Sequence, residues 1–381
     1  MRQWLSVVSV AIASFAFVTT EFLPVGLLPQ IADALGVTQG TAGLTVTMPG
    51  LVAALSAPGL MILAGKMNRR HLFLALTALL LIANLMSAFA PSFGIMLIGR
   101  ALFGAGIGGF WTLATASAAR LVAPRDAAKA IATILTGVTL ATVFGVPLGT
   151  FVADISSWRF SIVATTALAG VAFIAQWALV PSLPSTAALK SKDLFNLLRR
   201  PHARRGLLMM ALLFFAHFGT YTYITPFLLH EAGLGMGTIT WMLFGFGVVG
   251  FAANYVAALM VDRRMTATTA AMGLLMTLAL LTLPLFRPSQ VLVVIDVMIW
   301  GVAFGALPLS SSVWTQRATP DLPEAASALY IFSIEAAIGF GSMVGGLVVD
   351  HAGVQANFVM GGVVALAALI VLCTFRRDIT S

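Results

Sequence analysis

Twelve long apolar runs constrain the fold of this chain more than any other feature of its sequence. Each run is close to the roughly 20 residues that a helix needs to cross a bilayer. Their approximate bounds are 5–28, 41–64, 72–90, 94–119, 128–153, 158–180, 206–229, 236–261, 267–286, 291–315, 325–349 and 355–375. Only 9% of the residues are charged, against about 25% in soluble proteins. The sequence therefore predicts an all-α polytopic membrane protein with twelve transmembrane helices.

One polar segment divides the twelve runs into two sets of six. Residues 181–205 read PSLPSTAALKSKDLFNLLRRPHARR, and the connections between the other runs are much shorter. We therefore predict an N-terminal six-helix bundle over residues 1–180, a cytoplasmic linker over 181–205 and a C-terminal six-helix bundle over 206–381. Two such parallel repeats place a substrate site near the membrane midplane, between the halves.

Basic residues are distributed unequally between the two sides that this topology defines. Eighteen of the 21 Lys and Arg lie on the side of the termini and the linker, whereas Arg159 and Arg287 lie on the other. Such an excess marks cytoplasmic segments, so we expect both termini in the cytoplasm. The basic residues form short clusters and no continuous stripe, so the net charge of +8 does not indicate nucleic acid as a partner.

Three ionisable residues deep in the apolar runs are the candidates for proton coupling. An acid or base near the middle of a membrane helix costs roughly 2.5–3.5 kcal/mol on insertion scales and usually marks an ion or substrate path. Glu21 in the first run and Arg100 in the fourth lie at matching depth, which suggests a static ion pair or two stations on one proton path. We favour function, because a buried ion pair stabilises poorly on balance. Glu335, near the middle of the eleventh run, is either a second protonatable site or a structural acid.

Aromatic residues in the same runs are the candidates for substrate binding, because planar or drug-like molecules stack on such side chains. His217 lies among them and titrates near neutrality when unperturbed, so we leave open a structural role, a substrate contact and a proton carrier. Asp296, near the outer end of the tenth run, is interpreted as a structural acid. The candidate substrate contacts are Phe110, Trp111, His217, Tyr221, Tyr223 and Trp300.

The sequence offers no signal for an enzyme or a bound cofactor. A G-x-G-x-x-G pattern begins at Gly104, but it lies inside an apolar run with no preceding strand, which excludes a dinucleotide site. The five histidines are dispersed and show no metal-ligand spacing. We therefore expect no metal and no cofactor, with a proton gradient as the energy source.

Glycine and proline mark the places where the helices are expected to bend. Pro24 lies near the outer end of the first run, and the fifth run contains Gly145, Pro147 and Gly149 in the sequence GVPLG. A proline inside a helix removes a hydrogen bond and bends the helix, and neighbouring glycines allow a close partner. The eleventh run carries glycines at comparable places, in GFGSMVGG, so one helix of each half is predicted to form a rocking seam.

Several of these motifs resemble the major facilitator superfamily, in particular its twelve-span drug:proton antiporter branch. LIGRALFGAGIGGFW around Arg100 looks like the family's fourth-span motif, GVPLG like its antiporter motif, and WR at 158–159 like the start of its sixth span. The TTEFLPVGLLP opening and the LLRRP linker resemble bacterial purine ribonucleoside and sugar efflux transporters. The loop after the second run departs from the family pattern, with Gly65 at the position of its acid. Asp262 and Arg263 keep a fuller version in the second half.

The resemblance implies a monomeric proton-coupled antiporter of the bacterial inner membrane that exports a small organic molecule. Its two bundles would rock about a central cavity, while Glu21 alternates between protonated and charged forms. Nucleosides or purine bases are the first expectation for the substrate, sugars the second and phenicol-type drugs the third. The alternatives are a proton symporter for uptake and a membrane receptor that does not transport.

Overall fold

The computed structural model describes residues 2–65, 67–184, 191–318 and 323–375, and every regular element in these ranges is helical. The first half contains α1 Arg2–Leu35, α2 Gln39–Ala42, α3 Leu44–Ala64, α4 Arg69–Ala88, α5 Phe93–Leu121, a 3-10 turn Pro124–Asp126, α6 Ala127–Leu140, a π turn Ala141–Gly145, α7 Val146–Ile155 and α8 Trp158–Leu179. The second half contains α9 Ser191–Leu198, α10 Pro201–Tyr221, α11 Ile224–Pro226, a π turn Phe227–Glu231, α12 Met236–Phe286, α13 Gln290–Gly305, α14 Leu307–Ala318, α15 Pro323–Ala352 and α16 Val354–Phe375.

The predicted twelve-span membrane fold is confirmed. Eleven segments of the described chain are long and apolar enough to cross a bilayer, and a bent pair, Pro201–Tyr221 with Ile224–Glu231, makes the twelfth. The two parts of that pair meet at 43°. Two of the spans share the single helix α12, which is interrupted by non-helical backbone at Arg264 (φ −141°, ψ 45°).

Prolines explain where two of the spans are irregular. Pro226 lacks the N–H that would bond the carbonyl of Thr222, and α10 ends one residue before Thr222, at Tyr221. The π turn Ala141–Gly145 directly precedes the helix that holds Pro147. A proline ring clashes with the carbonyl four residues earlier, and membrane helices accommodate proline in part by local π adjustments.

Hydrogen bonds to the start of the linker define one side of the molecule, which we call the linker side. The N–H of Arg69 donates to the carbonyl of Leu183 (2.9 Å), and the Asn68 amide donates to the Ser182 hydroxyl (2.6 Å). The side chain of Arg120 donates to the carbonyl of Pro184. The opposite side, which holds the C-terminal ends of α1 and α15, is called the distal side.

The two halves pack against each other mainly towards the distal side. Helix α3 lies against α15, and α7 with its preceding π turn lies against α12. The large apolar core of the second half includes Val25, Val46 and Val146 from the distal part of the first half. In the described residues, the linker-side core around Phe73 and Phe110 contains side chains of the first half and Leu183 of the linker, and none of the second half. The structure therefore shows a conformation that is closed on the distal side.

Candidate functional site

Arg100 of α5 connects three helices through their main chains. The side chain is 3% exposed. Its Nε donates to the carbonyl of Thr45 in α3 (2.6 Å), its Nη1 to the carbonyl of Thr20 in α1 (2.9 Å), and its Nη2 to the carbonyl of Glu21 (3.1 Å). The planar guanidinium holds its donors in a fixed fork, so these bonds set the separation of the three helices.

Two of these carbonyls are available because prolines follow them. In an α-helix each carbonyl accepts from the N–H four residues later. Pro24 stands four residues after Thr20, and Pro49 stands four residues after Thr45. Proline has no N–H, so both carbonyls lack their helical donor. Arg100 supplies the missing donor to each, which makes it a structural partner of two proline-containing helices.

Glu21 and Arg100 do not form the direct ion pair that is one of the two expectations from their depth. The described residues show no ion pair between them. Arg100 contacts the main-chain carbonyl of Glu21, and its charge acts on the Glu21 carboxyl group electrostatically. The carboxyl group thus lies in the field of the guanidinium and is free of its hydrogen bonds.

Glu335 of α15 brings a second acid from the other half into the same region. Its side chain is 4% exposed, and its Oε2 atom is buried without a hydrogen-bond partner in the described part of the chain. It lies near enough to Glu21 for negative charges on the two carboxyl groups to repel each other. The Glu335 carbonyl also lies at the tight crossing of α15 with α3, 2.9 Å from a Cβ built on Gly50. Buried acids from opposite halves therefore lie in the region where the halves touch.

Aromatic rings of the second half surround His217 beside these acids. We call this group the His217 cluster, and it consists of Phe214, His217, Phe218, Tyr221, Phe246, Trp300 and Phe304. Phe22, the neighbour of Glu21 in α1, stacks on Phe218 with 5.2 Å between ring centroids. This contact joins the cluster to the first half next to the Glu21 position.

The structure brings together three of the six aromatic candidates. His217, Tyr221 and Trp300 belong to the His217 cluster. Phe110 packs in the core of the first half, stacked on Phe17 at 4.3 Å between centroids, and Trp111 packs edge-on against Phe110 at 5.6 Å. These two side chains are thus separate from the His217 cluster.

Tyr223 lies on the distal side, in a set of hydrogen bonds between the halves that we call the distal contact. Its hydroxyl donates to the carbonyl of Ser342 (2.8 Å), and the carbonyl of Gly40 lies 3.3 Å away as a second acceptor for the same hydrogen. Asp350, at the distal end of α15, accepts from the Thr38 hydroxyl (2.6 Å) and the Gly40 N–H (2.9 Å). An acid at the start of the short helix α2 is electrostatically favourable. The distal contact thus ties α15 and the segment between α10 and α11 to α2 and the residue that precedes it, Thr38.

The helices singled out for bending lie where the halves meet. Gly145 packs on Thr19 of α1, and Gly149 packs on Leu23. Across the seam, the Thr240 hydroxyl of α12 donates to the Thr150 hydroxyl (3.0 Å). Pro24 lies within the continuous helix α1, where its effect is to free the Thr20 carbonyl.

The remaining candidates are outside this site. The side chains of Asp262 and Arg263 lie outside the described residues. The Thr282 hydroxyl lies 3.2 and 3.1 Å from the two carboxylate oxygens of Asp296 and can donate its one hydrogen to them.

Sequence reasoning missed Pro49 and the Thr38–Asp350 contact. The spacing of Thr45 and Pro49 was a usable signal, because a proline always frees the carbonyl four residues earlier. The contact of Thr38 with Asp350 joins residues that are 312 positions apart and has no comparable signal in a single sequence.

Comparison with protein families and curated proteins identifies relatives along the whole chain. The model of the Major Facilitator Superfamily matches residues 10–337. The chain is 34% identical over 383 residues to the transcription regulatory protein OpdE of Pseudomonas aeruginosa, covering 100% of this chain and 94% of the relative. It is 32% identical over 377 residues to the purine ribonucleoside efflux pump NepI of Salmonella paratyphi B, covering 98% of this chain and 94% of the relative.

Solved structures share the architecture at low sequence identity. The human organic anion transporter MFSD10 (TETRAN) matches with a TM-score of 0.70 at 18% identity, over 97% of this chain and 99% of that one. A POT family transporter in complex with 5-aminolevulinic acid matches with a TM-score of 0.80 at 11% identity, over 100% of this chain and 96% of that one. At these identities the likeness concerns the fold alone.

Proposed function

Because the chain belongs to the major facilitator superfamily, a family of membrane transporters, we propose that it is a proton-coupled antiporter that exports a small organic molecule by alternating access. The family resemblance that the sequence motifs indicate is confirmed. Membership favours a transporter over an enzyme. The likeness to a purine ribonucleoside efflux pump supports nucleosides as the first substrate class to test, with sugars and drugs after them.

The pair of Glu21 and Glu335 carries this proposal. The two acids are buried, they come from opposite halves, and they interact electrostatically. Bringing two like charges together inside a membrane is costly, so closure of the halves around them favours a state in which a proton is bound. Opening towards the distal side would bring water to the pair. Proton uptake would thus be coupled to the change that releases substrate.

Arg100 contributes a fixed positive charge to this scheme. Its donors are held by main-chain carbonyls, so the guanidinium stays in place while the protonation of Glu21 changes. It favours the charged carboxylate and thereby opposes protonation. Substrate that separates Glu21 from Glu335 would act in the same direction. Proton and substrate would therefore compete for one region of the protein.

The energy available from one proton is sufficient for export. A membrane potential of about 150 mV moves one charge with roughly 3.5 kcal/mol, and about 1.4 kcal/mol corresponds to a tenfold concentration ratio. One proton per neutral molecule therefore sustains a gradient of a few hundredfold.

Substitution of each acid by its amide tests the proposal in proteoliposomes with an imposed pH gradient. Glu21→Gln and Glu335→Gln are expected to abolish proton-driven export and to retain substrate binding. Asp296→Asn is the matched control, since Asp296 is an intramembrane acid with its own hydrogen-bond donor, Thr282, and its export should stay near the wild-type rate. Full pH-dependent export by both amide variants would contradict the assignment.

Two other functions are distinguished by the same preparation. An uptake symporter would move protons in the same direction as the substrate, whereas the antiporter moves them in opposite directions. The likeness to a protein named as a transcription regulatory protein favours testing a regulator that does not transport. Substrate binding without flux in proteoliposomes would support that second function and contradict the antiporter.

The topology and organisation belong to the same proposal. We place the protein in the bacterial inner membrane as a monomer, with both termini in the cytoplasm and the linker side facing inwards. Residues 1–180 and 206–381 form the two bundles, and residues 181–205 connect them. The orientation is tested by fusing a reporter enzyme that is active only outside the cytoplasm to each terminus and to the distal loop after residue 35. Only the fusion in the distal loop should then be active.

A further inference from the structure

We infer that helix α9 docks on the bilayer that surrounds the protein and binds anionic phospholipids there. Its exposed apolar side chains enter the boundary of the acyl chains, and basic residues beside them bind the headgroup phosphates. The inference concerns the linker, so it does not depend on the proposed transport function. Its basis is a helix that one face fixes to the second half while the other face presents apolar and basic side chains.

Leu197 fixes α9 to the second half. It is 1% exposed, and its partners in a small apolar core are Ala203, Leu207, Ala326 and Leu329. The first two belong to α10 and the last two to α15, and both helices contact α9. Helix α10 begins at Pro201 and continues as the bent membrane span. The helix α9 is therefore held next to the place where the chain enters the bilayer.

Phe195 and Leu198 form an exposed apolar face of α9. Successive residues of an α-helix are about 100° apart around the axis, so Phe195 lies opposite Leu197 and next to Leu198. Phe195 is 64% exposed and Leu198 is 41% exposed. Large apolar side chains leave water favourably, and helices that lie in a membrane surface bury such residues at the boundary between headgroups and acyl chains. The bilayer that α10 enters provides this boundary.

Basic residues around this face determine which headgroup fits. Residues 190–205 contain six Lys or Arg and a single acid, Asp193. The guanidinium carbon of Arg199 lies 5.4 Å from the centroid of the Phe195 ring, and Arg204 is exposed in the first turn of α10. Basic clusters of about four to eight residues beside a span attract anionic lipids, and Arg pairs with phosphate through two parallel hydrogen bonds. We therefore expect phosphatidylglycerol to bind, and zwitterionic phosphatidylcholine to bind much more weakly.

Spin labels on α9 test the docking in nanodiscs of phosphatidylglycerol. Cys373 is the single cysteine, so the full-length Cys373→Ser protein accepts one label at a time, at Phe195→Cys or Leu198→Cys. Both labels should collide more often with oxygen, which dissolves in lipid, than with a water-soluble nickel chelate. Arg125→Cys is the control, since the Arg125 side chain is 88% exposed, and its label should show the reverse. Labels on α9 that prefer the nickel chelate, as a face in contact with water alone requires, would overturn the inference.

The lipid composition then tests the headgroup. The Leu198→Cys label is followed while phosphatidylglycerol replaces phosphatidylcholine, and its preference for oxygen should appear only as the anionic lipid is added. Glycerol 3-phosphate added to phosphatidylcholine nanodiscs supplies the phosphate without acyl chains and should leave the label in water. Equal docking in phosphatidylcholine alone, or docking caused by glycerol 3-phosphate, would overturn the assignment to an anionic lipid.

Substitution of single cations measures their contribution to the docking. Arg199→Gln and Arg204→Gln should each raise the fraction of phosphatidylglycerol needed for half-docking about fivefold, which corresponds to one basic residue near an anionic surface. Arg125→Gln is the matched control, and it should leave this fraction unchanged. All three positions are exposed, so the variants are expected to fold as the wild type does. An unchanged fraction in both Arg199→Gln and Arg204→Gln would contradict the binding of headgroup phosphates by these cations.

Discussion

Arg100→Met tests whether Arg100 acts on the main chain of its neighbours. Methionine keeps an unbranched apolar stem and removes every donor. The Thr20 and Thr45 carbonyls then lose the donor that Arg100 gives them, and Pro24 and Pro49 have no N–H to replace it. Each buried unsatisfied carbonyl costs about 1–3 kcal/mol, which sums to about 2–6 kcal/mol for two. The substitution also removes the cost of burying the guanidinium charge, which offsets part of this loss. We therefore expect the free energy of unfolding to fall by about 2 kcal/mol.

A second substitution makes the prediction specific. Pro24→Ala restores an N–H four residues after Thr20, and this N–H can bond the Thr20 carbonyl within the helix. The double variant Arg100→Met/Pro24→Ala should therefore be more stable than the sum of the single changes. We expect a coupling free energy of about 1–3 kcal/mol, the cost of one unsatisfied carbonyl.

Pro29→Ala is the matched control for this cycle. Pro29 lies in the same helix, but the carbonyl four residues before it belongs to Val25, to which Arg100 does not donate. The free energies of unfolding can be measured by SDS titration in mixed micelles. The reasoning is refuted if Pro24→Ala and Pro29→Ala show the same coupling with Arg100→Met, or if Arg100→Met is as stable as the wild type.

The contacts between the halves lead to two further predictions. Asp350→Ala removes the acceptor for the Thr38 hydroxyl and the Gly40 N–H, so the population open on the distal side should increase, measured as longer spin-label distances across that face. Gly50→Ala places a Cβ 2.7 Å from the Gly339 nitrogen. This contact is too short for α3 and α15 to keep their crossing, so Gly50→Ala should reduce export. Gly59→Ala is the control, since its added Cβ has nothing within 4 Å, and it should leave the export rate unchanged.

The spans were predictable from the sequence because their cause is local. A bilayer requires about 20 apolar residues and internally satisfied hydrogen bonds, so the apolar runs determine helix number and type. The breaks at Thr222 and before Pro147 were also accessible, since each lies within four residues of a following proline. The single-residue interruption at Arg264 was not, because nothing in the residue types there distinguishes a short loop from a kink.

The contacts between the halves were not predictable, because they depend on which helix faces meet. Asp350 and Thr38 are ordinary polar residues near helix ends, and only the packing brings them to 2.6 Å. The same holds for the His217 cluster. Its members were recognisable singly as deep aromatic residues, but their parallel stacking results from the fold.

Arg100 shows why matching depth does not establish a charge pair. The depth of Glu21 and Arg100 suggests two opposite charges in contact, yet proline creates a competing partner, since a carbonyl without its helical donor is a strong acceptor in a membrane. Arg100 lies within reach of two such carbonyls and binds both. A guanidinium held in this way moves together with α1, so its position relative to Glu21 stays the same as the halves separate. Under the proposed mechanism, the change of charge pairing would then occur between Glu21 and Glu335, the two acids that belong to different halves.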